Sequence, residues 1–100
     1  MTQRSGDIAL GIPFNLACYS ALTMTIAQET NLEPGTFAHT IVDAHIYENH
    51  IEGLKKQLER KPRELPELKI SVKPIDELQY EDFTLLNYNP HDPIKFPVAV

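Results

Sequence analysis

Residues 14–28 constrain the fold more than any other stretch, because Phe14, Leu16, Ala17, Cys18, Tyr19, Ala21, Leu22, Met24, Ile26 and Ala27 leave no side of a helical wheel polar. A helix with that pattern is predicted to be buried rather than amphipathic. Gly11 and Pro13 stand just before it, with Pro13 where the first helical position tolerates a missing N–H. Residues 3–10 alternate weakly, so the start of the chain is predicted to be a strand turning into the helix at a Gly-Pro corner.

Downstream, Pro34-Gly35 has the order favoured at the centre of a type II turn, and residues 37–47 are dense in β-branched and aromatic side chains. These predict a second long strand. Its period of two assigns Ala38, Thr40, Val42, Ala44 and Ile46 to a packed face, and Asp43, His45 and Tyr47 to a face free for chemistry. Asn49-His50-Ile51-Glu52 resembles a capping box, and Ile51, Leu54 and Leu58 follow at helical spacing, predicting a surface helix up to residue 60. Pro62 and Pro66 break the pattern. Residues 68–72 alternate as a strand, residues 80–88 suggest a helical turn and a short strand, and residues 91–100 suggest a loop with an apolar end. The fold class implied is mixed α/β, with a sheet packed against the long helix. No repeat or linker divides residues 1–100, which are read as a single partial domain.

One hundred residues bury only about two-thirds of their unfolded surface, so a core built from them alone is modest. A net charge of −5 argues against nucleic acid and anionic membrane as partners. There is no apolar run long enough to span a bilayer, and one cysteine forms no internal disulfide, so a cytoplasmic setting is expected. Cys18 itself lies in the apolar helix with no cation at helical spacing to favour a thiolate, and is expected to be buried and inert.

The residues that could carry chemistry flank the corner. Arg4 and Ser5 offer a guanidinium fork and a hydroxyl suited to a phosphate, although such pairs also decorate ordinary surfaces. Asn15 is either a helix cap or a reader of a base edge. Its amide carries a donor beside an acceptor, which complements the O4 acceptor and N3–H donor of uracil, a pattern that cytosine reverses. His45 and Tyr47, roughly 7 Å apart along one strand face, are either an exposed polar face or a pair that holds one sugar hydroxyl. His39, His50 and His91 show no metal-ligand spacing, and no metal is expected.

The block Arg4-Ser5-Gly6-Asp7-Ile8-Ala9-Leu10-Gly11-Ile12-Pro13-Phe14-Asn15 resembles the thymidylate synthase pattern Arg-Ser-x-Asp-x-x-Leu-Gly-x-Pro-Phe-Asn at every fixed position. Four further blocks follow in order: Asp43 to His50, Arg63 to Pro66, Tyr80 to Phe83, and Ile94 to Val100. The resemblance implies the C-terminal portion of a homodimeric α/β enzyme. That enzyme methylates deoxyuridylate (dUMP) at C5 with 5,10-methylenetetrahydrofolate, giving thymidylate (dTMP) and dihydrofolate. It implies that Arg4 and Ser5 hold the phosphate, that Gly6 belongs to the dUMP site, that Asp7 touches nucleotide and folate, and that Asn15 reads uracil. His45, Ile46 and Tyr47 would line the sugar, while Leu10, Gly11, Phe14 and Ala99 would meet folate, the C-terminal residues closing as a lid. The family's Pro-Cys-His nucleophile segment has no match here, so the 100 residues alone are expected to be inactive. A hydroxymethylase acting on deoxycytidylate would carry Asp in place of Asn15. A non-catalytic nucleotide-binding or self-association module is the alternative.

Overall fold

Strand β1 (Thr2–Asp7) runs parallel to strand β2 (Thr40–His45) in the computed structural model, which describes residues 1–98. The register pairs Thr2 with Thr40, Ser5 with Asp43, and Asp7 with His45. A parallel pair requires a long crossover connection, and helix α1 (Gly11–Glu29) lies in it. The ladder continues one residue past β1, where Ile8 N–H donates to the His45 carbonyl at 3.0 Å. Asp7 Oδ1 then accepts from Ala9 N at 3.0 Å and Leu10 N at 3.4 Å, an Asx-type turn that swings the chain into α1. Gly6 is pinned beneath that turn. A Cβ there would overlap Ile12 Cδ1 and come within 3.3 Å of Ile41 Cγ2, so β1 and α1 meet at this depth only because the side chain is absent.

The helix starts earlier than its sequence suggests, at Gly11, which makes Pro13 its third residue and sets Asn15 inside the helix. Pro13 still falls within the first turn, where its missing N–H has no intrahelical partner to lose. The helix is closed just past its end by Asn31, whose φ of 54° is left-handed. Leu32 N–H reaches back to the Ala27 carbonyl at 2.8 Å and Asn31 N–H to Gln28 at 3.2 Å, the paired bonds of a Schellman cap. That cap already reverses the chain, and no described glycine has positive φ, so the type II turn expected at Pro34-Gly35 does not form.

The expected burial of α1 is corrected. Ile12 and Ala27 are buried, but Phe14 is 72% exposed, and Leu16, Tyr19, Leu22 and Ile26 are also exposed. Cys18 is exposed as well, contrary to the inert buried thiol read from its neighbours. The face of β2 assigned to packing is likewise open, with Val42 72% exposed and Ile46 also exposed. Apolar periodicity states what a side chain requires; it does not state which segment provides the cover.

Contacts group the chain into two compact units, the first made of Met1–Ala17, Ala38–Pro62 and the described part of His91–Val100, the second of Cys18–Phe37 and Arg63–Pro90. In the first, a 3-10 turn (Glu48–His50) leads into helix α2 (Ile51–Leu58). His50 rather than Asn49 precedes α2, and no side chain caps it, so the capping box at Asn49 is absent: Asn49 is already inside the 3-10 turn.

In the second unit, β3 (Glu67–Ile70) pairs antiparallel with β4 (Phe83–Leu86), as the alternation of those segments leads one to expect. Gln28 Nε2 donates to the Ser71 carbonyl at 2.9 Å, tying the end of α1 to β3. Asp82, almost fully buried, accepts from Lys73 Nζ at 2.9 Å and from Gln79 N at 2.9 Å. The Lys73 hydrogen bond, then the Gln79 N–H, hold its carboxyl below the ordinary 3.8. A carboxylate depressed on folding adds stability above its unfolded pKa, and that stability is lost as pH falls through the folded value. Asp82→Asn is therefore expected to flatten the fall in melting temperature below about pH 4. Parallel acid melts of the two proteins check this, and equal slopes would rule the pair out as an acid-sensitive element.

Candidate functional site

Alternation along β1 puts Gln3, Ser5 and Asp7 on one face and Arg4 with Gly6 on the other. Gln3 organises the first face. Its Nε2 donates to the Ser5 carbonyl at 2.7 Å and to Asn15 Oδ1 at 3.1 Å, while its Oε1 accepts from His39 Nε2 at 3.0 Å. The Asn15 amide is thereby oriented with its oxygen toward Gln3, leaving the Nδ2 donors and one oxygen lone pair for another partner. Gly11 sits between Asp7 and Asn15: a Cβ there would lie 3.5 Å from Asp7 Cβ and 4.0 Å from Asn15 Oδ1. The structure thus gathers Ser5, Asp7, Gly11 and Asn15 at one end of the β1–β2 pair. Because Asn15 is inside α1, its reading as a helix cap is excluded.

The parallel register brings His45 beside Asp7 on the adjacent strand. The His45 and Tyr47 rings meet edge to face at 5.2 Å between centroids, and Tyr47 in turn meets His50 at 5.7 Å. His45 Nδ1 faces its neighbour Asp43, at 3.3 Å from the carbonyl and 3.6 Å from Oδ1. Tyr47 and Ile46 lie just past the end of β2 and are exposed. Leu10 is half-buried and Phe14 projects into solvent. Arg4 is exposed on the opposite strand face from Ser5. Ala99 lies outside the described residues. Among the described residues, no group of three or more His, Cys, Asp or Glu is placed to hold a metal ion, and no helix is long and apolar enough to cross a membrane.

A thymidylate synthase family model matches residues 1–100. The chain belongs to the thymidylate synthase family. Two relatives bear this out. The chain is 56% identical over 100 residues to a protein named thymidylate synthase from Homo sapiens, and 57% identical over 99 residues to one from Mycoplasma pneumoniae. In each case 98% of this chain is covered, but only 32% and 34% of the relative. The chain spans about a third of the length of the thymidylate synthases it matches. The mixed α/β class expected from sequence is the class observed, with its strands in one small parallel and one small antiparallel sheet.

Two residues beside this candidate site are not singled out by sequence reasoning. Gln3 was within reach, because the same alternation that selects Ser5 and Asp7 selects it. His50 was not. It is completely buried, with Nε2 2.5 Å from the Pro97 carbonyl, Nδ1 3.8 Å from Asp7 Oδ1, and its ring 5.3 Å from Phe96. None of those neighbours is near it in sequence.

Proposed function

We propose that this chain supplies much of the deoxyuridylate site and part of the folate site of a thymidylate synthase, which converts dUMP to dTMP with 5,10-methylenetetrahydrofolate as carbon donor and reductant. The observation that carries the reading is the orientation of Asn15 by Gln3 beside Asp7 and Ser5. With Oδ1 accepting from uracil N3–H and Nδ2 donating to O4, Asn15 would select uracil. The same donor stabilises the negative charge that develops on O4 when a nucleophile adds at C6. Ser5 contributes a hydroxyl to the phosphate. Arg4 adds its guanidinium by turning its long side chain round the strand, since it starts from the other face. His45 and Tyr47 hold the 3′-hydroxyl, and Asp7, Leu10, Gly11 and Phe14 border the folate, with Ala99 in the lid. The thiol that attacks C6 comes from a segment with no counterpart among these residues.

The open apolar faces of α1 and β2 favour cover by the remainder of such an enzyme or by a second copy, in keeping with a homodimer. The lone thiol suits a reducing, cytoplasmic setting.

Tyr47→Phe tests the sugar assignment in the full-length enzyme. Removing the hydroxyl alone is expected to weaken dUMP by about 1 kcal/mol, roughly fivefold, and to leave the affinity for its 3′-deoxy analogue unchanged. Titration calorimetry with both nucleotides decides it. Equal losses for the two would remove Tyr47 from the sugar site.

A further inference from the structure

His50 is the one large side chain among the described residues with no exposure at all, in a chain that leaves most of its aromatic and aliphatic side chains open. Burial of a histidine at that depth requires partners for both ring nitrogens, and only one is satisfied. Nε2 meets the Pro97 carbonyl at 2.5 Å. A carbonyl accepts only, so Nε2 carries the proton and donates. Nδ1 has no hydrogen-bond partner among the described residues and is aimed at Asp7 Oδ1, 3.8 Å away. One side chain therefore donates to the C-terminal segment with one nitrogen and lies beside the Asp7 carboxylate with the other.

The C-terminal segment is seated by a second device. The Phe96 ring lies edge to face with His50 at 5.3 Å and covers Gly53, where a Cβ would overlap the ring. Asp7 is also held in a defined way. Its Oδ1 accepts the Ala9 and Leu10 N–H groups and faces His50.

We propose that His50 is a positioning residue that latches the C-terminal segment, through Phe96 and Pro97, beside the Asp7 carboxylate. Seating of that segment and orientation of Asp7 are then set by the same imidazole. The proposal rests on the reading of Asp7 as a folate-site residue. It predicts that loss of His50 weakens the folate step and loosens the segment by more than it weakens nucleotide binding.

The test compares His50→Asn and His50→Gln in the full-length enzyme. A glutamine amide can place a donor near Nε2 and reach Pro97, whereas the shorter asparagine cannot. Three quantities are read: the KM for methylenetetrahydrofolate, the Kd for dUMP, and the rate at which carboxypeptidase releases the C-terminal residues. His50→Asn is expected to raise the folate KM and the release rate about tenfold, the worth of one lost hydrogen bond, with His50→Gln recovering most of both. The dUMP Kd is expected to rise by less than the folate KM, because His50 reaches the nucleotide side only through its edge contact with Tyr47. If His50→Gln behaves as His50→Asn does, or if the release rate does not change, the latch is overturned. Should His50→Asn fail to fold, Phe96→Ala removes the ring from the same socket and is held to the same outcomes. Failure of the unaltered enzyme to bind dUMP or folate would instead count against the functional reading, and the release rates would still judge the latch.

Discussion

Asp7→Ala in the full-length enzyme is expected to lower kcat/KM for methylenetetrahydrofolate about a hundredfold and to lower stability as well, because on the proposed reading the carboxylate would serve two purposes. Its Oδ1 holds the β1–α1 turn through the Ala9 and Leu10 N–H groups. Leaving those donors without a partner costs about 1–3 kcal/mol. The charge itself, when hydrogen-bonded to a ligand, contributes about 1.5–3 kcal/mol more. Asp7→Asn separates the two. Its Oδ1 still accepts from the turn, so the melting temperature is expected to stay near that of the unaltered enzyme while folate kcat/KM still falls about tenfold or more. Steady-state kinetics alongside thermal melts of both variants are sufficient. If the two variants lose equal activity and equal stability, Asp7 is a turn residue alone.

Asn15→Asp is expected to move base preference from deoxyuridylate toward deoxycytidylate. The Gln3 hydrogen bond survives, since an aspartate oxygen accepts from Gln3 Nε2 as the amide oxygen does. What is lost is the Nδ2 donor that would face O4. One unmatched hydrogen bond in a closed site costs about 1–3 kcal/mol, so the ratio of the two nucleotide affinities is expected to change about tenfold to a hundredfold. Competition binding measures that ratio directly. An unchanged ratio would mean that Asn15 serves only to anchor Gln3.

The corner that assembles the site was legible in the chain because its information is local. A strand face, a glycine and a proline lie within a dozen residues, and period-two alternation places Ser5 and Asp7 together without knowledge of the rest. The same alternation also puts Gln3 on that face, although Gln3 was not singled out, and Arg4 on the other. β3, β4 and the turn before β4 were legible for a similar reason. Other expectations failed where a competing local bond intervened. Asn31 closes α1 in the left-handed conformation before Pro34-Gly35 can turn the chain, and Asn49 enters a 3-10 turn rather than capping α2. His50 was illegible in principle, since its partners Asp7, Phe96 and Pro97 are brought to it only by the fold. The exposure of Phe14, Leu22 and Cys18 was illegible because a helical wheel reports appetite for cover and nothing of its supply.

The contact between His50 and Pro97 joins residues separated by 47 positions, and the other ring nitrogen of His50 faces Asp7 at the end of β1. A ribosome delivers those three residues in the order Asp7, His50, Pro97, so the corner and the β1–β2 pair can form while the last stretch is still being made. The imidazole has no carbonyl to meet until Pro97 has emerged. During synthesis the buried setting of His50 is therefore completed only after the β1–β2 pair can already exist.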